Sequence, residues 1–307
     1  MEVRVGGSAL FLPEFEYFAP ETLEEALGLL ERYGEKAKIL AGGTDLLVMM
    51  KDKLLKPEVL IDISKLIELQ GIQYVPEQGL TLGAATKIDE VQHSLSIQKN
   101  WRALAQAAGE LGSAQVRSMA TLGGNSCHAS PAAETPPALV ALGAKVSLAC
   151  PGGEREILLE NFILGNRKTA LQGGEILTRF FLPEPSPRSA SVYLYHALRG
   201  AMEIDMLNVA VYLALAPDLR SCQEVRIALG AVSPVPLRAE KSEVILTGSK
   251  MENSVIEAAG RLASAQASPI SDLRATAQHR REVVEVLVRR ALTQAYEVAR
   301  AGKEVKG

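Results

Sequence analysis

The stretch KILAGGTDLLVMMK, residues 38–51, places a pair of glycines between two apolar runs. Glycine lets main-chain N–H groups approach a ligand without an obstructing side chain, and consecutive amides can form an anion-binding concavity. The run LLVMMK predicts a helix, whose N-terminal dipole would favour the same anion. A plain turn is the simpler interpretation. The spacing matches neither GxGxxG nor GxxxxGK[ST], so neither standard nucleotide fingerprint supports a ligand here.

A second glycine pair stands in ATLGGNSCHASPAAETPPAL, residues 120–139. Gly123 and Gly124 again open the backbone, and short hydrogen-bonding side chains surround them. Glu134 directly precedes a predicted helix, where its carboxylate either binds ribose hydroxyls or caps the helix. Two such turns, each predicted to follow a strand, suit an elongated dinucleotide held between two lobes. The cofactor would then carry the chemistry and the protein would position it.

Other catalytic patterns are weak in this sequence. Cys127 and His128 are neighbours, but no second histidine or carboxylate stands at metal-ligand spacing from them. A metal site or a nucleophilic Cys/His pair is therefore poorly supported. No Ser/His/Asp spacing or pair of catalytic carboxylates accompanies the glycine pairs, which argues against hydrolysis. We expect this chain to contain no catalytic side chain and no metal ligand.

The N-terminal region has the pattern of an α/β unit. Residues 15–63 predict the order strand, helix, strand, turn, helix, strand. Thr22 is a candidate N-cap with Glu25 three residues later, and the helix is expected to end at Gly34. Alternating strands and helices with short connections indicate one α/β lobe.

A change of composition divides the rest of the chain. A second α/β stretch precedes FLPEPSPRSAS, residues 181–191, which contains three prolines and is the best candidate for a linker. Strand-like segments and then helical sequence follow, which suggests a separate α+β domain. The expected division is an N-terminal domain of residues 1–182, with lobes of about 1–65 and 66–182, and a C-terminal domain of residues 190–307.

Composition and charge exclude several classes of protein. The 307 residues are enough for two or three domains, and the formal net charge of −3 argues against a nucleic-acid-binding surface. The segment HRREVVEVLVRR mixes basic, acidic and apolar residues, as in a solvated helix face. No apolar run approaches the roughly 18 residues that span a bilayer, and no secretory signal is expected. Cys127, Cys150 and Cys222 form no CxxC pair, which favours a cytoplasmic setting.

Four ordered motifs carry a resemblance to a known family. AGGTDLLVMMK and TLGGNSCHASPAAETPPALVALGAKV resemble the FAD-binding (medium) subunit of molybdenum hydroxylases, the carbon monoxide dehydrogenase and xanthine dehydrogenase family. The likeness continues through residues 227–248 and 269–292. It implies an α+β fold: a two-lobed α/β FAD-binding domain of the vanillyl-alcohol-oxidase-like (PCMH) type, followed by a small α+β domain of antiparallel strands packed on helices.

The resemblance also implies where FAD lies. The first glycine turn would wrap the diphosphate with backbone amides, residues 121–125 would form the second turn, and Glu134 would contact the adenosine ribose. The remaining residues would lie near the flavin or its linker. The complete implied set is Leu40, Ala41, Gly42, Gly43, Thr44, Asp45, Leu46, Leu111, Gly112, Thr121, Gly123, Gly124, Asn125, Glu134, Ile176, Leu177 and Tyr195.

Two positions depart from the family pattern. The acidic position is usually Asp, and Glu134 is longer by one methylene. A lysine near the flavin ring is replaced by Tyr195. A cation there would stabilise the reduced, anionic flavin, so its absence is expected to lower the reduction potential unless Arg199 or His196 substitutes.

The function implied is that of an electron-transfer oxidoreductase subunit with non-covalent FAD. Molybdopterin and 2Fe-2S clusters would lie only in a large and a small partner chain, in a heterotrimer or a dimer of heterotrimers. FAD would pass electrons to an external acceptor such as NAD. A stand-alone FAD-dependent oxidase is the first alternative, and it would need a base near the flavin. An assembly subunit that has lost FAD is the second, and the two intact glycine pairs argue against it.

Overall fold

The structure is a computed structural model that describes residues 12–199 and 202–302. The predicted domain limits at residues 1 and 307 lie outside these residues. The N-terminal lobe comprises β1 (Glu16–Phe18), α1 (Leu23–Tyr33), β2 (Ala37–Leu40), α2 (Leu46–Lys51) and β3 (Val59–Asp62). The second lobe comprises β4 (Ile72–Val75), β5 (Gly79–Gly83), α3 (Ile88–His93), α4 (Leu95–Asn100), α5 (Arg102–Glu110), α6 (Ala114–Arg117), α7 (Leu122–His128), α8 (Thr135–Ala141), β6 (Lys145–Cys150), β7 (Gly153–Leu158), β8 (Ile163–Gly165), β9 (Lys168–Thr169) and β10 (Ile176–Leu182). The C-terminal part comprises β11 (Ser189–His196), β12 (Leu207–Leu215), β13 (Cys222–Gly230), β14 (Leu237–Arg238), α9 (Glu240–Leu246), α10 (Asn253–Gln266) and α11 (Ala277–Ala301).

The first lobe is the α/β unit that the sequence predicts. Its strands pair in parallel in the order β1-β3-β2. The Thr22 hydroxyl accepts a hydrogen bond from the Glu25 amide at 3.2 Å, and α1 ends at Gly34, whose φ of 53° suits glycine. The buried residues Ala26 and Leu27 of α1 pack on β3 and its neighbours. The lobe therefore buries one helix face against a small parallel sheet.

The second lobe has a sheet that local sequence patterns do not show. Its strands pair in the order β4-β5-β10-β6-β7, and every pairing is antiparallel. The central strand β10 comes last in the sequence of this lobe and inserts between β5 and β6. Alternating helices and strands often form parallel sheets, whereas the sheet of this lobe is antiparallel throughout. Helices α3, α5, α7 and α8 surround the core of the lobe.

The C-terminal sheet is covered on both faces, as the run of nine buried residues in β12 shows. Its order is β11-β12-β13-β14, with antiparallel pairing throughout. Val209 and Val211 belong to the core shared with α10 and α11. Ala210 and Tyr212, which point to the opposite face, belong to the core of the second lobe. This arrangement confirms antiparallel strands packed on helices, and it joins the C-terminal part to the second lobe through apolar packing.

The predicted linker is shorter than the sequence suggests. Phe181 and Leu182 pair with β5 as part of β10, and β11 begins at Ser189, so the connection spans residues 183–188. Two hydrogen bonds fasten this connection. The Trp101 indole donates to the Pro183 carbonyl at 3.1 Å, and the Ser186 amide donates to the Tyr212 hydroxyl at 3.1 Å.

Within residues 12–199 and 202–302, no helix is long and apolar enough to cross a membrane. The same residues contain no group of three or more His, Cys, Asp or Glu side chains that could hold a metal ion. Cys127, Cys150 and Cys222 are all free thiols.

Candidate functional site

The loop between β2 and α2 presents unused backbone donors. Within the described residues, none of the amides of residues 42–46 donates a hydrogen bond to a protein acceptor. Gly43 has a φ of 73°, a conformation that favours glycine. Asp45 stands before α2 but makes no side-chain capping bond. Five successive free N–H groups on a partly exposed loop form a donor set suited to an anionic group such as a diphosphate.

The first glycine loop lies directly against the segment that precedes α7. A Cβ atom on Gly42 would overlap the carbonyl oxygen of Met119 and would lie 2.9 Å from the Cα of Ala120. The same carbonyl oxygen accepts a hydrogen bond from the Lys87 ammonium group at 3.1 Å. The two glycine segments, 41–45 and 120–125, are therefore brought together across the boundary between the lobes.

The second glycine pair is helical, which corrects the prediction of a turn after a strand. Helix α6 precedes it, and Gly123 and Gly124 form the first turn of α7. The hydroxyl of Thr121 caps this helix by accepting from the Gly124 amide at 3.0 Å. The Gly123 amide donates to the Ala84 carbonyl at 2.8 Å. A Cβ on Gly123 would lie 2.8 Å from the Ala84 side chain, so this glycine permits close packing.

Helix α7 is tied to α8 by a side-chain hydrogen bond. The Thr135 hydroxyl donates to the Asn125 amide oxygen at 2.6 Å. The Ser126 hydroxyl is completely buried and has no protein partner among the described residues. The amides of residues 123–125 are used inside the protein. The second segment therefore offers side-chain oxygens rather than free backbone donors.

His128 and Asp45 connect the two segments electrostatically. His128 Nε2 lies 3.7 Å from Asp45 Oδ1. The Asp45 carboxylate would repel a diphosphate held by the neighbouring amides.

Glu134 is the most strongly perturbed carboxyl of this site. Burial raises its pKa to about 8, and the carboxylates of Asp205, Asp45 and Glu110 add to this rise. It stands at the N-cap position of α8 but makes no side-chain capping bond, so the helix-capping interpretation is wrong. These charges place Glu134 within electrostatic reach of the first glycine loop, of the end of α5 and of the segment before β12.

A buried hydrogen-bond network surrounds Asp205, one of the carboxylates that act on Glu134. The Asp205 carboxylate accepts from the Tyr193 hydroxyl at 3.0 Å and from the Asn208 amide at 3.1 Å. Burial raises the pKa of Asp205 to about 6, although both hydrogen bonds lower it. Burial also raises the pKa of Tyr193 well above its ordinary value.

Tyr195 faces a cavity of about 650 Å³ between α5 and β11, whose lining includes Gln106 and Glu110. Hydrogen bonding to Glu110 and burial raise the pKa of Tyr195 to about 12. A second cavity, of about 690 Å³ between β11 and helices α10 and α11, shares Leu194 and Tyr195 with the first. The glycine loop 41–45 lines neither cavity. The loop is open at the surface, so its free amide donors, rather than an enclosed volume, mark it as a candidate binding site.

Comparison with known proteins identifies the family. Residues 13–185 match the model of the FAD binding domain in molybdopterin dehydrogenase, and residues 193–295 match the CO dehydrogenase flavoprotein C-terminal domain. The chain belongs to this FAD-binding family.

Two curated relatives and one solved structure show the extent of the likeness. The chain is 34% identical to the nicotinate dehydrogenase FAD-subunit of Eubacterium barkeri, over 80% of this chain and 84% of the relative. It is 33% identical to the carbon monoxide dehydrogenase medium chain of Hydrogenophaga pseudoflava, over 92% and 98%. A solved carbon monoxide dehydrogenase from the same organism superimposes with a TM-score of 0.89, over 94% of this chain and 99% of that one. The resemblance to an oxidoreductase FAD subunit, and the fold that it implies, are confirmed.

The FAD-binding residues implied by the resemblance lie on several separate elements. The loop that contains Leu40, Ala41, Gly42, Gly43, Thr44, Asp45 and Leu46 packs through Gly42 on Met119 and Ala120, and Thr121, Gly123, Gly124 and Asn125 follow at the N-cap and in α7. Glu134 lies within electrostatic reach of both this group and the surroundings of Tyr195. Leu111 and Gly112 follow α5, and Leu111 is buried.

Ile176 and Leu177 lie inside the protein at the start of β10. Their exposed fractions are 3% and 4%, and they belong to the cores of the first and second lobes, respectively. Their contact with the flavin stays a prediction. Ile176 therefore joins β10 to the first lobe, and Leu177 packs within the second.

Neither residue expected to replace the missing lysine supplies a free cation. Arg199 lies 2.8 Å from Glu203, with which it forms an ion pair. Burial and the neighbouring His279 lower the pKa of His196, which favours its neutral form. Tyr195 itself lies beside the carboxylate of Glu110.

The sequence reading missed Glu110, Tyr193 and Asp205. Glu110 directly precedes Leu111, one of the residues that the resemblance implies, and Asp205 lies in the segment before β12. A lone acidic residue in such a motif gives no signal of burial. The antiparallel pairing of β11 with β12, which brings Tyr193 opposite Ala210, places its hydroxyl near Asp205.

Proposed function

We propose that this chain is the FAD-binding electron-transfer subunit of a multisubunit molybdenum hydroxylase. The observation that carries the proposal is the row of free amides at residues 42–46, packed against the segment that leads to α7. The family to which the chain belongs supports FAD as the ligand of this donor set. The similar proteins include the FAD-subunit of a nicotinate dehydrogenase and the medium chain of a carbon monoxide dehydrogenase, which supports membership in a larger complex.

The residues present fit FAD in their chemistry. The amides of residues 42–46 would hold the diphosphate, and the small glycine side chains allow its close approach. The buried Ser126 hydroxyl, which lacks a protein partner, has hydrogen-bonding capacity left for a ligand. Glu134, with a pKa of about 8, would be mostly protonated at neutral pH. A neutral carboxyl can bond the adenosine ribose without repelling the diphosphate.

The remaining site residues are proposed with the same cofactor. Leu111, Gly112 and Tyr195 would lie near the isoalloxazine ring, on the side where Tyr195 and Glu110 line the cavity beside β11. Ile176 and Leu177 would approach the ring from the start of β10. The protein would position the ring and set its electrostatic surroundings, without an acid or base from this chain.

FAD would supply electron-carrying chemistry, receiving electrons from a partner's 2Fe-2S cluster and passing them to an acceptor such as NAD. Molybdopterin, and the oxidation of the organic substrate, would belong to a large partner chain. The similarity to the medium chain of a carbon monoxide dehydrogenase supports this division. A heterotrimer, or a dimer of heterotrimers, located in the cytoplasm would follow.

The domain division proposed with this function is an FAD domain of residues 1–182, in lobes of about 1–65 and 66–182, and a C-terminal domain of residues 190–307. The two matched family models separate between residues 185 and 193, which supports it. The core of the second lobe extends onto the C-terminal sheet, so the two domains are expected to stay in contact.

Affinity purification of the tagged chain from its native host tests the assembly. Two further chains, with flavin and iron–sulfur absorbance in the same particle, are the expected result. An isolated chain that oxidises an organic substrate without partners would overturn the proposal. So would a complex that contains iron–sulfur absorbance but no flavin.

A further inference from the structure

A buried arginine lies at the start of α11, where the sequence predicts a solvated face. Arg280 is 2% exposed, which is rare for a guanidinium group. Its Nη1 donates to the carbonyl oxygen of Met206, and its Nη2 donates to Asp272 at 2.8 Å. A helix of the C-terminal domain is thereby attached to the segment that precedes β12.

A second arginine binds the same carboxylate and also contacts the segment before β12. Asp272 accepts from the Arg274 guanidinium at 2.7 Å and 3.1 Å and from the Arg274 amide at 2.9 Å. Although burial raises the pKa of Asp272, the bonds from Arg274 and Arg280 hold it well below its usual range. Arg274 Nη1 also donates to the carbonyl of Ile204 at 3.4 Å. Asp272 is therefore an ionised anchor for both guanidinium groups.

The two arginines bind the carbonyls on either side of Asp205. Ile204 is largely exposed, whereas Asp205 is 3% exposed and turns its carboxylate towards Tyr193 and Asn208. With both neighbouring carbonyls fixed, the Asp205 side chain has little freedom to leave its pocket. The placement of this buried charge therefore depends on residues of a distant part of the sequence.

We propose that Arg274 and Arg280, anchored by Asp272, are positioning residues that hold the Asp205 carboxylate in the charged surroundings of Glu134. The charged groups that act on Glu134 come from three elements: Asp45 at the start of α2, Glu110 at the end of α5, and Asp205 before β12. His128 of α7 faces this set through Asp45. By keeping Asp205 in place, the arginines favour the protonated form of Glu134. The consequence for FAD rests on the proposed function, but the charge coupling does not.

The direction in which the ionisation of Glu134 shifts when Arg274 is removed distinguishes a positioning role from a direct effect of the arginine's charge. If Arg274 acted only through its positive charge, its removal would make the surroundings more negative and raise the pH at which Glu134 ionises. If it positions Asp205, its removal releases a negative charge from the neighbourhood of Glu134, and that pH falls. Arg281, the neighbour of Arg280 on α11, provides a matched control, because its guanidinium bonds the Ala267 carbonyl instead of the 204–206 segment.

The experiment is an infrared titration of the cofactor-free full chain, in which the protonated carboxyl band of Glu134 is assigned by its loss in Glu134→Gln. We expect Arg274→Ala and Asp205→Asn each to lower the midpoint by about one pH unit. The double variant should shift no further than Asp205→Asn alone, because both changes act on one charge. Arg281→Ala should leave the midpoint unchanged or raise it slightly.

Two results would overturn the proposal: a midpoint that rises in Arg274→Ala, or a double variant whose shift equals the sum of the single shifts. Arg274 is the variant of choice because it is partly exposed, whereas replacing buried Arg280 could unfold the chain. Thermal unfolding of Arg274→Ala and Arg281→Ala is compared to confirm that both fold. The titration needs no FAD, so a failure to bind FAD would contradict the proposed function and leave this test intact.

Discussion

The backbone of Gly42 packs directly on the backbone of Met119, so the two glycine segments of this chain form one structural unit. Any Cβ at position 42 would overlap the Met119 carbonyl oxygen and would lie 2.8 Å from its carbonyl carbon. This contact joins the first lobe to the second at the point where the free amides of residues 42–46 are displayed. The close approach of the two backbones therefore requires glycine at position 42 on steric grounds.

Replacing Gly42 is therefore expected to abolish FAD binding. Gly42→Val forces the loop away from Met119 and displaces the amides, and overpacking of this kind costs about 1–3 kcal/mol of stability. FAD fluorescence quenching measures binding, and circular dichroism checks that the C-terminal domain stays folded. Gly28→Ala is the control, since nothing lies within 4 Å of a Cβ at that position of α1. Retention of tight FAD binding by Gly42→Val would contradict the account of this loop.

Glu134 is expected to make both stability and FAD binding depend on pH. Its pKa is raised in the folded chain to about 8. The stability linked to this group is complete below its ordinary pKa of 4.5 and is lost as pH rises through about 8. Ionised Glu134 would also repel the diphosphate, so the FAD dissociation constant should rise above pH 8, by up to about tenfold per pH unit. Glu134→Gln should remove both dependences, as followed by urea unfolding and flavin titration. An unchanged pH profile in that variant would count against this role.

Thr121 is expected to matter more for FAD than an ordinary helix cap. Its hydroxyl caps α7 beside the first glycine loop, while Thr22 makes the equivalent bond at α1. Thr121→Ala and Thr22→Ala should each lower the free energy of unfolding by about 1 kcal/mol. Only Thr121→Ala should weaken FAD binding, as measured by calorimetric titration. Equal loss of affinity in both variants would show that the effect is general destabilisation.

Tyr195→Lys is expected to raise the reduction potential of bound flavin. In the present chain Arg199 is paired with Glu203 and His196 favours its neutral form, so neither provides a cation for the reduced ring. A lysine would add that charge, although the nearby Glu110 would partly neutralise it. A stabilisation of about 1.4 kcal/mol corresponds to roughly 30 mV for a two-electron couple. Potentiometric titration of both forms gives the answer, and an unchanged potential would show that Tyr195 lies away from the ring.

The sequence predicts local elements of this fold well and long-range ones poorly. The cap at Thr22, the end of α1 at Gly34 and the strand AKIL follow from neighbouring residues, and the structure confirms them. The insertion of β10 between β5 and β6 requires a pairing between residues far apart in the sequence, such as Leu182 with Leu80. The local pattern of alternating elements gives no sign of this pairing.

In the candidate site, too, local features can be predicted from the sequence and long-range contacts cannot. The glycine pairs are visible in the sequence, but their different uses are not. Gly42 and its neighbours leave their amides free, whereas Gly123 and Gly124 use theirs within the protein. The difference arises because Thr121 caps a helix over the second pair and Ala84 packs against it. The burial of Arg280 is likewise not visible in the sequence. Its charged sequence context suggests a solvated helix face, and only tertiary packing buries it.

The central claim is that the amide loop after β2 binds FAD without a covalent bond. The most direct measurement is the flavin content of the purified chain, followed by acid precipitation and identification of the released flavin. The expected result is a yellow protein with one FAD per chain, all of it released into the supernatant. A colourless chain that takes up no FAD when the cofactor is added would contradict it.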